Sequence, residues 1–231
     1  MRYVRRTLLK GALVAGVGFG LARSVTAGTD TARFRVLHAA PSFGAVDVYG
    51  NRVRVEASLP YGRLGQLWAV PAESVLIRVF PVGANPTTDA PLGFETVSLS
   101  LGRNHTIVIT EEANVLRILV FPELDPPPRG QIALRVVHVS PGAPALDLVR
   151  ADGTLLLSSV PFGEARAGVF APGNYALRLR QSGTTNVLLD LGTFFFRAGV
   201  RRTFYVLRSA PAPTARGLER APEVFVRSLS E

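Results

Sequence analysis

The sequence predicts an all-β protein made of two tandem antiparallel β-sandwiches. Three observations carry this expectation. A motif pattern recurs once along the chain at an offset of about 100 residues. Short runs alternate with period two, Val75, Ile77 and Val79 with Leu76, Arg78 and Phe80, and Tyr175, Leu177 and Leu179 with Ala176, Arg178 and Arg180, which places each set on one face of a pleat. Turn residues punctuate these runs roughly every 8–12 residues, the spacing of sandwich strands, and no long stretch repeats at the helical period. The 231 residues are 47% hydrophobic and 19% charged, a globular composition.

Residues 1–27 read as an export signal. Arg2, Arg5 and Arg6 form a basic start, Gly11 to Ala22 an apolar stretch, and Val25-Thr26-Ala27 a small-residue cleavage site. Arg5-Arg6-Thr7-Leu8-Leu9-Lys10 resembles the bacterial twin-arginine signal, with Val4 and Leu8 as departures from the usual pattern. The apolar run is 12 residues, short of the roughly 20 that span a bilayer. Retained uncut, it would still tether the chain.

The first sandwich is expected over residues 33–125. It opens with Arg35-Val36-Leu37-His38-Ala39-Ala40-Pro41 and Ala45-Val46-Asp47-Val48. Its strand runs are 34–37, 46–49, 75–80, 97–101, 106–110 and 116–120. Pro126-Pro127-Pro128-Arg129-Gly130 then forms a semi-rigid spacer. The second sandwich, over 131–209, opens with Arg135-Val136-Val137-His138-Val139-Ser140-Pro141 and Ala145-Leu146-Asp147-Leu148. Further pairs follow: Pro60-Tyr61-Gly62 with Pro161-Phe162-Gly163, and Ile77-Arg78-Val79 with Leu177-Arg178-Leu179. A unit this long buries its own core, so the repeat means two domains of about seven strands each. Residues 210–231 are a tail or a late edge strand. In Phe194-Phe195-Phe196, period two exposes the middle ring if the outer two are buried. The exposed ring, like Tyr61 and Trp68, is a candidate for an interface between the copies or with a partner.

The pattern His-x-(Ala/Ser)-Pro, then Val-Asp-Val-Tyr, then Pro-(Tyr/Phe)-Gly, then Pro-Gly-x-Tyr resembles the domain-of-unknown-function 4397 family over residues 33 to about 208. Copy two keeps more of it. In copy one Ala72-Glu73-Ser74 replaces the glycine turn. The resemblance implies exported or surface proteins with tandem sandwiches, here of immunoglobulin-like or transthyretin-like type. It implies no established catalysis.

Candidate chemistry is sparse. No cysteine is present, which excludes disulfides, thiolate metal sites and a Cys nucleophile. The only lysine is Lys10, so the mature chain has neither a phosphate-cradling P-loop nor a Schiff-base residue. His38 and His138 each precede an Asp, Asp47 and Asp147, by nine residues. Such pairs suit base-and-orienter or metal chemistry. They equally suit a framework in which the imidazole donates to a loop carbonyl and the carboxylate accepts backbone N–H groups. Their duplication favours the framework, since an active site rarely needs two copies. His105 is expected in a surface turn. Ser42, Ser140, Ser158 and Ser159 lack a nucleophile-elbow context. We therefore expect no catalytic residue, no cofactor and no metal site.

Net charge is +9, from 26 basic and 17 acidic residues. Five of the basic residues lie in the leader. Residues 33–128 hold eight arginines and nine acids, whereas 129–231 hold thirteen arginines and seven acids. Arg178, Arg180, Arg197, Arg201 and Arg202 would form one basic patch on copy two if their strands were neighbours. That patch suits an acidic envelope protein or an anionic polymer or lipid. It does not suit nucleic acid, because no aromatic platforms interleave with the arginines. The expected protein is thus a non-catalytic module of the periplasm, cell surface or extracellular space. Metal or hydrolytic chemistry on the His–Asp pairs, and arginine-mediated docking, are the alternatives.

Overall fold

The computed structural model describes residues 31–71, 73–209 and 224–230. The export-signal reading of residues 1–27 lies outside the described residues. The first repeat supplies β1 (Ala32–His38), β2 (Val46–Gly50), β3 (Val53–Leu59), β4 (Trp68–Val70), β5 (Ser74–Pro81), β6 (Gly93–Ser98), β7 (Asn104–Glu112) and β8 (Val115–Pro122). The second supplies β9 (Ile132–His138), β10 (Leu146–Arg150), β11 (Leu155–Val160), β12 (Ala165–Phe170), β13 (Gly173–Gln181), β14 (Val187–Phe196), β15 (Arg201–Arg208) and β16 (Val224–Ser230).

The two repeats have the same topology. Their inner sheets run β4-β1-β7-β8 and β12-β9-β15-β16, and their outer sheets β3-β2-β5-β6 and β11-β10-β13-β14. Each repeat has eight strands among the described residues, against about seven expected; in the first, the three-residue β4 is too short to show an alternation. Pairing is antiparallel except for β1 with β7 and β9 with β15, which are parallel. The antiparallel β-sandwich expectation holds, with these two parallel pairs inside it. A 97–101 strand is corrected. β6 ends at Ser98, and the chain then crosses to the inner sheet while Leu99 still fills the core. Apolar alternation continues there because packing continues, not pairing.

Each sandwich has its own core. Phe34, Val36, Val48, Ile77, Val79, Ile107 and Ile109 fill the first, and Leu134, Val136, Leu148, Leu177, Leu179, Phe204 and Val206 the second. A third cluster joins the repeats. Leu37, Ala39, Val108 and Phe121, on the outward side of the first inner sheet, meet Val137, Val139, Tyr205 and Leu207 of the second. The layers therefore stack outer–inner–inner–outer. Parallel strands are typically covered on both faces, and β9 is buried along its whole length. Polar bonds rim this junction. Thr110 Oγ1 donates to the Val139 carbonyl at 3.1 Å, Arg201 to the Leu124 carbonyl at 2.6 Å, and the Tyr61 hydroxyl to the Arg208 carbonyl. Tyr61 thus sits at the interface between copies, as one of its two expected placements had it.

β14 follows the expected alternation. Phe196 is buried and stacks on Phe194 at 5.6 Å, while Phe195 is 64% exposed. Phe195 lies on an edge strand of an outer sheet, away from the junction between repeats. Trp68 packs against the first core.

Truncating Tyr205 to Ala should lower stability by about 3–5 kcal/mol, the usual cost of deleting a buried aromatic side chain. In urea denaturation the intact protein should unfold in one transition. A Leu37→Asp/Val137→Asp variant should resolve into two, because charges at the junction uncouple sandwiches that keep separate cores. Two transitions in the intact protein would show that the junction does not couple the repeats.

Candidate functional site

His38 and His138 end β1 and β9, at equivalent points. In each copy the ring is held by backbone on both sides. His38 Nδ1 accepts from the Ala40 N–H at 3.3 Å, and its Nε2 is bonded to the Gly44 carbonyl. His138 Nδ1 accepts from the Ser140 N–H at 3.2 Å, and its Nε2 lies 3.1 Å from the Pro144 carbonyl. A carbonyl can only accept, so both rings are the neutral Nε2–H tautomer. Burial pushes both below the ordinary value of 6.5. For His38 the Gly44 hydrogen bond and nearby Glu111 act in the opposite sense, and for His138 the Pro144 and Ala143 hydrogen bonds do.

The second repeated motif docks on the first. The Gly62 N–H donates to the His38 carbonyl at 2.7 Å and the Gly163 N–H to the His138 carbonyl at 2.8 Å. Gly62 and Gly163 take φ of 72° and 82°, a conformation that favours glycine. Tyr61 then stands edge-on to His38 at 5.9 Å, and Phe162 to His138 at 6.1 Å. The spaced motifs in the sequence are one knot in space, made twice.

The aspartates serve elsewhere. Asp47 accepts from the Ser58 N–H at 2.7 Å and the Gly83 N–H at 3.1 Å. Asp147 accepts from the Ser159 N–H at 2.9 Å and Arg180 Nε at 3.2 Å. Ser58 and Ser159 have φ of 49° and 50°, and the β2–β3 and β10–β11 ladders shift register beside them. The carboxylate thus satisfies an N–H that a bulge has taken out of its ladder. Burial alone would raise the Asp147 pKa. The hydrogen bonds from Ser159, Ser182, Arg180 and Gly183 outweigh it, and the net shift is downward.

The structure therefore does not bring His38 to Asp47 or His138 to Asp147. Each partner is engaged with its own stretch of backbone. Among the described residues no group of three or more His, Asp and Glu could hold a metal. Ser42 is tied to buried Glu111, by its N–H at 3.1 Å and its hydroxyl at 2.8 Å. His105 corrects the surface-turn expectation. It is 2% exposed at the start of β7, with Nδ1 3.2 Å from the Arg33 carbonyl and Nε2 accepting from the Ser100 N–H at 3.1 Å. The preceding Gly102-Arg103 turn suggested exposure, but the turn folds back over the ring.

The five arginines do not share one face. Arg178 and Arg180 lie on β13 in the outer sheet, Arg201 and Arg202 on β15 in the inner sheet, and exposed Arg197 between β14 and β15. Arg178 pairs with Asp190 at 3.0 Å and Arg180 with Asp147 at 3.2 Å. The condition for a single patch, neighbouring strands, is not met.

Sequence reasoning missed a matched pair of buried arginines, one of which stitches the repeats. Arg35 is ion-paired with Glu123, which also accepts from Asn104 at 3.0 Å. Its counterpart Arg135 donates to Thr203 Oγ1 at 3.0 Å and to the Pro122 carbonyl, across the junction. The signal was legible: an arginine inside an apolar strand, repeated at the same place in the second copy.

His138→Ala removes one donor and one acceptor from buried partners and should cost about 2–4 kcal/mol. Asp147→Ala should cost about 2–3 kcal/mol by orphaning the Ser159 N–H. The histidines also set a pH dependence. The unfolded chain takes up protons near pH 6.5 that the folded chain refuses. Their contribution is therefore complete above that value and declines as pH falls through the window below it. Melting between pH 7 and 5 should show this decline, and a His38→Gln/His138→Gln variant should show a shallower one.

Comparison with known proteins adds a family. No curated protein matches the chain. Solved structures with some likeness include the C-terminal domain of AlgF from P. aeruginosa, at 17% identity and TM-score 0.32, covering 45% of this chain and 98% of that one. The Bacillus anthracis TIE protein has 6% identity and TM-score 0.25, covering 87% of this chain and 44% of that one. A streptococcal virulence factor solved for alpha-glucan binding has 12% identity and TM-score 0.24, covering 75% and 91%. These likenesses carry no assignment of activity. The model of a domain of unknown function, DUF4397, matches residues 32–149. The match takes in the whole first repeat and runs through β9 into β10, although the second copy reads as the fuller version of the motif. With β1 through β9 and most of β10 inside the match, the chain belongs to the DUF4397 family.

Proposed function

We propose that this protein is a non-catalytic module of the cell envelope, structural or binding in role, exported by a twin-arginine-type signal. The observation that supports it most is the use made of the repeated polar residues. In both copies the histidine is spent on backbone groups and the aspartate on a bulge N–H, with Arg180 as an added partner of Asp147. Residues kept for catalysis present an atom to substrate, whereas these hold a strand end and a bulge. On this reading the partners are an envelope protein or an anionic envelope polymer, and membrane contact is confined to an uncut leader.

Expression in a bacterium with an intact twin-arginine pathway tests the reading. The full chain should be recovered outside the cytoplasm, and Arg5→Lys/Arg6→Lys should reduce that recovery at least tenfold. Export unchanged in this variant would exclude the route. Hydrolytic activity that is lost in His138→Gln while the fold persists would overturn the non-catalytic role.

A further inference from the structure

We infer that the free edge of β8 pairs with the β8 of a second copy of this chain, in antiparallel register across a two-fold axis at Ile118. The inference does not depend on export or on the proposed envelope role. It rests on how the edges of the four sheets are finished. β3, β11 and β14 shift register against their neighbours. β4 is three residues long. β6 has Glu95, Thr96 and Ser98 in its sequence, β12 has Arg166 and Gly168, and β16 has Arg227 and two serines. Bulges, brevity and polar residues are the usual means by which a protein keeps an edge from pairing. β8 is neither bulged nor short nor polar. It runs for eight residues, Val-Leu-Arg-Ile-Leu-Val-Phe-Pro, with one charge, and its only proline is the last residue. Its ladder with β7 is unbroken from Glu112 with Val115 to His105 with Pro122.

The hairpin fixes which groups the edge presents. Ala113 and Asn114 join β7 to β8 with φ of 49° and 62°, a two-residue link of the primed type. Such a link is closed by a hydrogen-bonded pair, here Glu112 with Val115, and hydrogen-bonded pairs then alternate along the ladder. At the far end the Glu123 N–H donates to the Asn104 carbonyl at 2.8 Å, in the same phase. Val115, Arg117, Leu119 and Phe121 therefore bond to β7, and Leu116, Ile118 and Val120 turn their N–H and C=O groups to the open edge. The side chains of these three pack on the first core. Val115 is 62% exposed and the Arg117 side chain 56%, so the second repeat does not close over this end of β8.

Those groups select a second β8. An antiparallel two-fold centred on Ile118 sets Ile118 against its own copy and Leu116 against Val120, so all three N–H groups of each chain meet a carbonyl of the other. Val115 then lies beside Phe121, and the aliphatic stem of Arg117 beside Leu119. A centre at Arg117 would oppose two like charges, and a centre at Leu119 would set Leu116 against Pro122, which has no N–H. Rotation about this axis keeps both cores on the same side of the sheet. The two four-stranded inner sheets thus become one continuous sheet, and the contact is isologous.

The lack of cysteine makes the test clean. Two differently tagged full chains are co-expressed, one carrying Arg117→Cys and the other Leu119→Cys, positions that the two-fold brings within disulfide reach. Oxidation should give a species bearing both tags, and neither variant should form a covalent dimer alone, because like positions sit diagonally. Sedimentation of the unmodified chain should show a dimer fraction that rises with concentration. Ile118→Pro removes the central N–H, which points away from β7, and should abolish that dimer while the melting transition remains. Two results would overturn the inference. One is a chain that stays monomeric at its highest soluble concentration, whether or not the edge then takes a strand of another protein. The other is a dimer that forms without the mixed disulfide or persists in folded Ile118→Pro.

Discussion

The rest of the structure depends on the face where the two inner sheets meet. Leu37, Ala39 and Val108 of one repeat press on Val137, Val139 and Tyr205 of the other. This contact covers the outward side of the central inner strands, most completely β9, so those strands are apolar on both faces. That is why β9 reads as Ile-Ala-Leu-Arg-Val-Val-His with little alternation. The outer sheets keep a solvent face, and β5 and β13 alternate as half-buried strands do. One contact thus decides which strands show a period of two and which do not.

Two arginines that enter this apolar setting have defined partners. Arg35 and Arg135 come from matched positions but bond differently. Arg35 finds Glu123 within its own repeat, and Arg135 reaches the Pro122 carbonyl of the other. Equivalent residues meet inequivalent surroundings: Glu123, just after β8, faces Arg35, whereas Arg135 faces Thr203 and the Pro122 carbonyl. The histidine knots and the bulge N–H bonds to the aspartates recur in both copies, and only Asp147 adds an arginine, Arg180.

Charge behaves in the same way. The surplus of arginine in the second repeat is not one surface. Asp190 and Asp147 take Arg178 and Arg180, and the Leu124 carbonyl takes Arg201. Arginine serves here mainly through directed hydrogen bonds, for which its planar fork is suited. An excess of positive charge in a sequence is therefore weak evidence of a polyanion site until its partners are known.

The sequence by itself determined the class of fold, the two-fold repetition and most strand positions. Those follow from local alternation, turn residues and a near-constant offset, which are properties of neighbouring residues along the chain. It also held both readings of the His–Asp pairs, framework and chemistry, without deciding between them. Only the tertiary structure decided that these side chains bond to backbone, because the Gly44 and Pro144 carbonyls and the Ser58 and Ser159 N–H groups reach them through loops and bulges. It alone placed β13 and β15 in different sheets and so divided the arginines. It alone buried His105 and laid the inner sheets against each other. Each of these outcomes depends on which strands become neighbours, and strand order across sheets leaves no local mark on the chain.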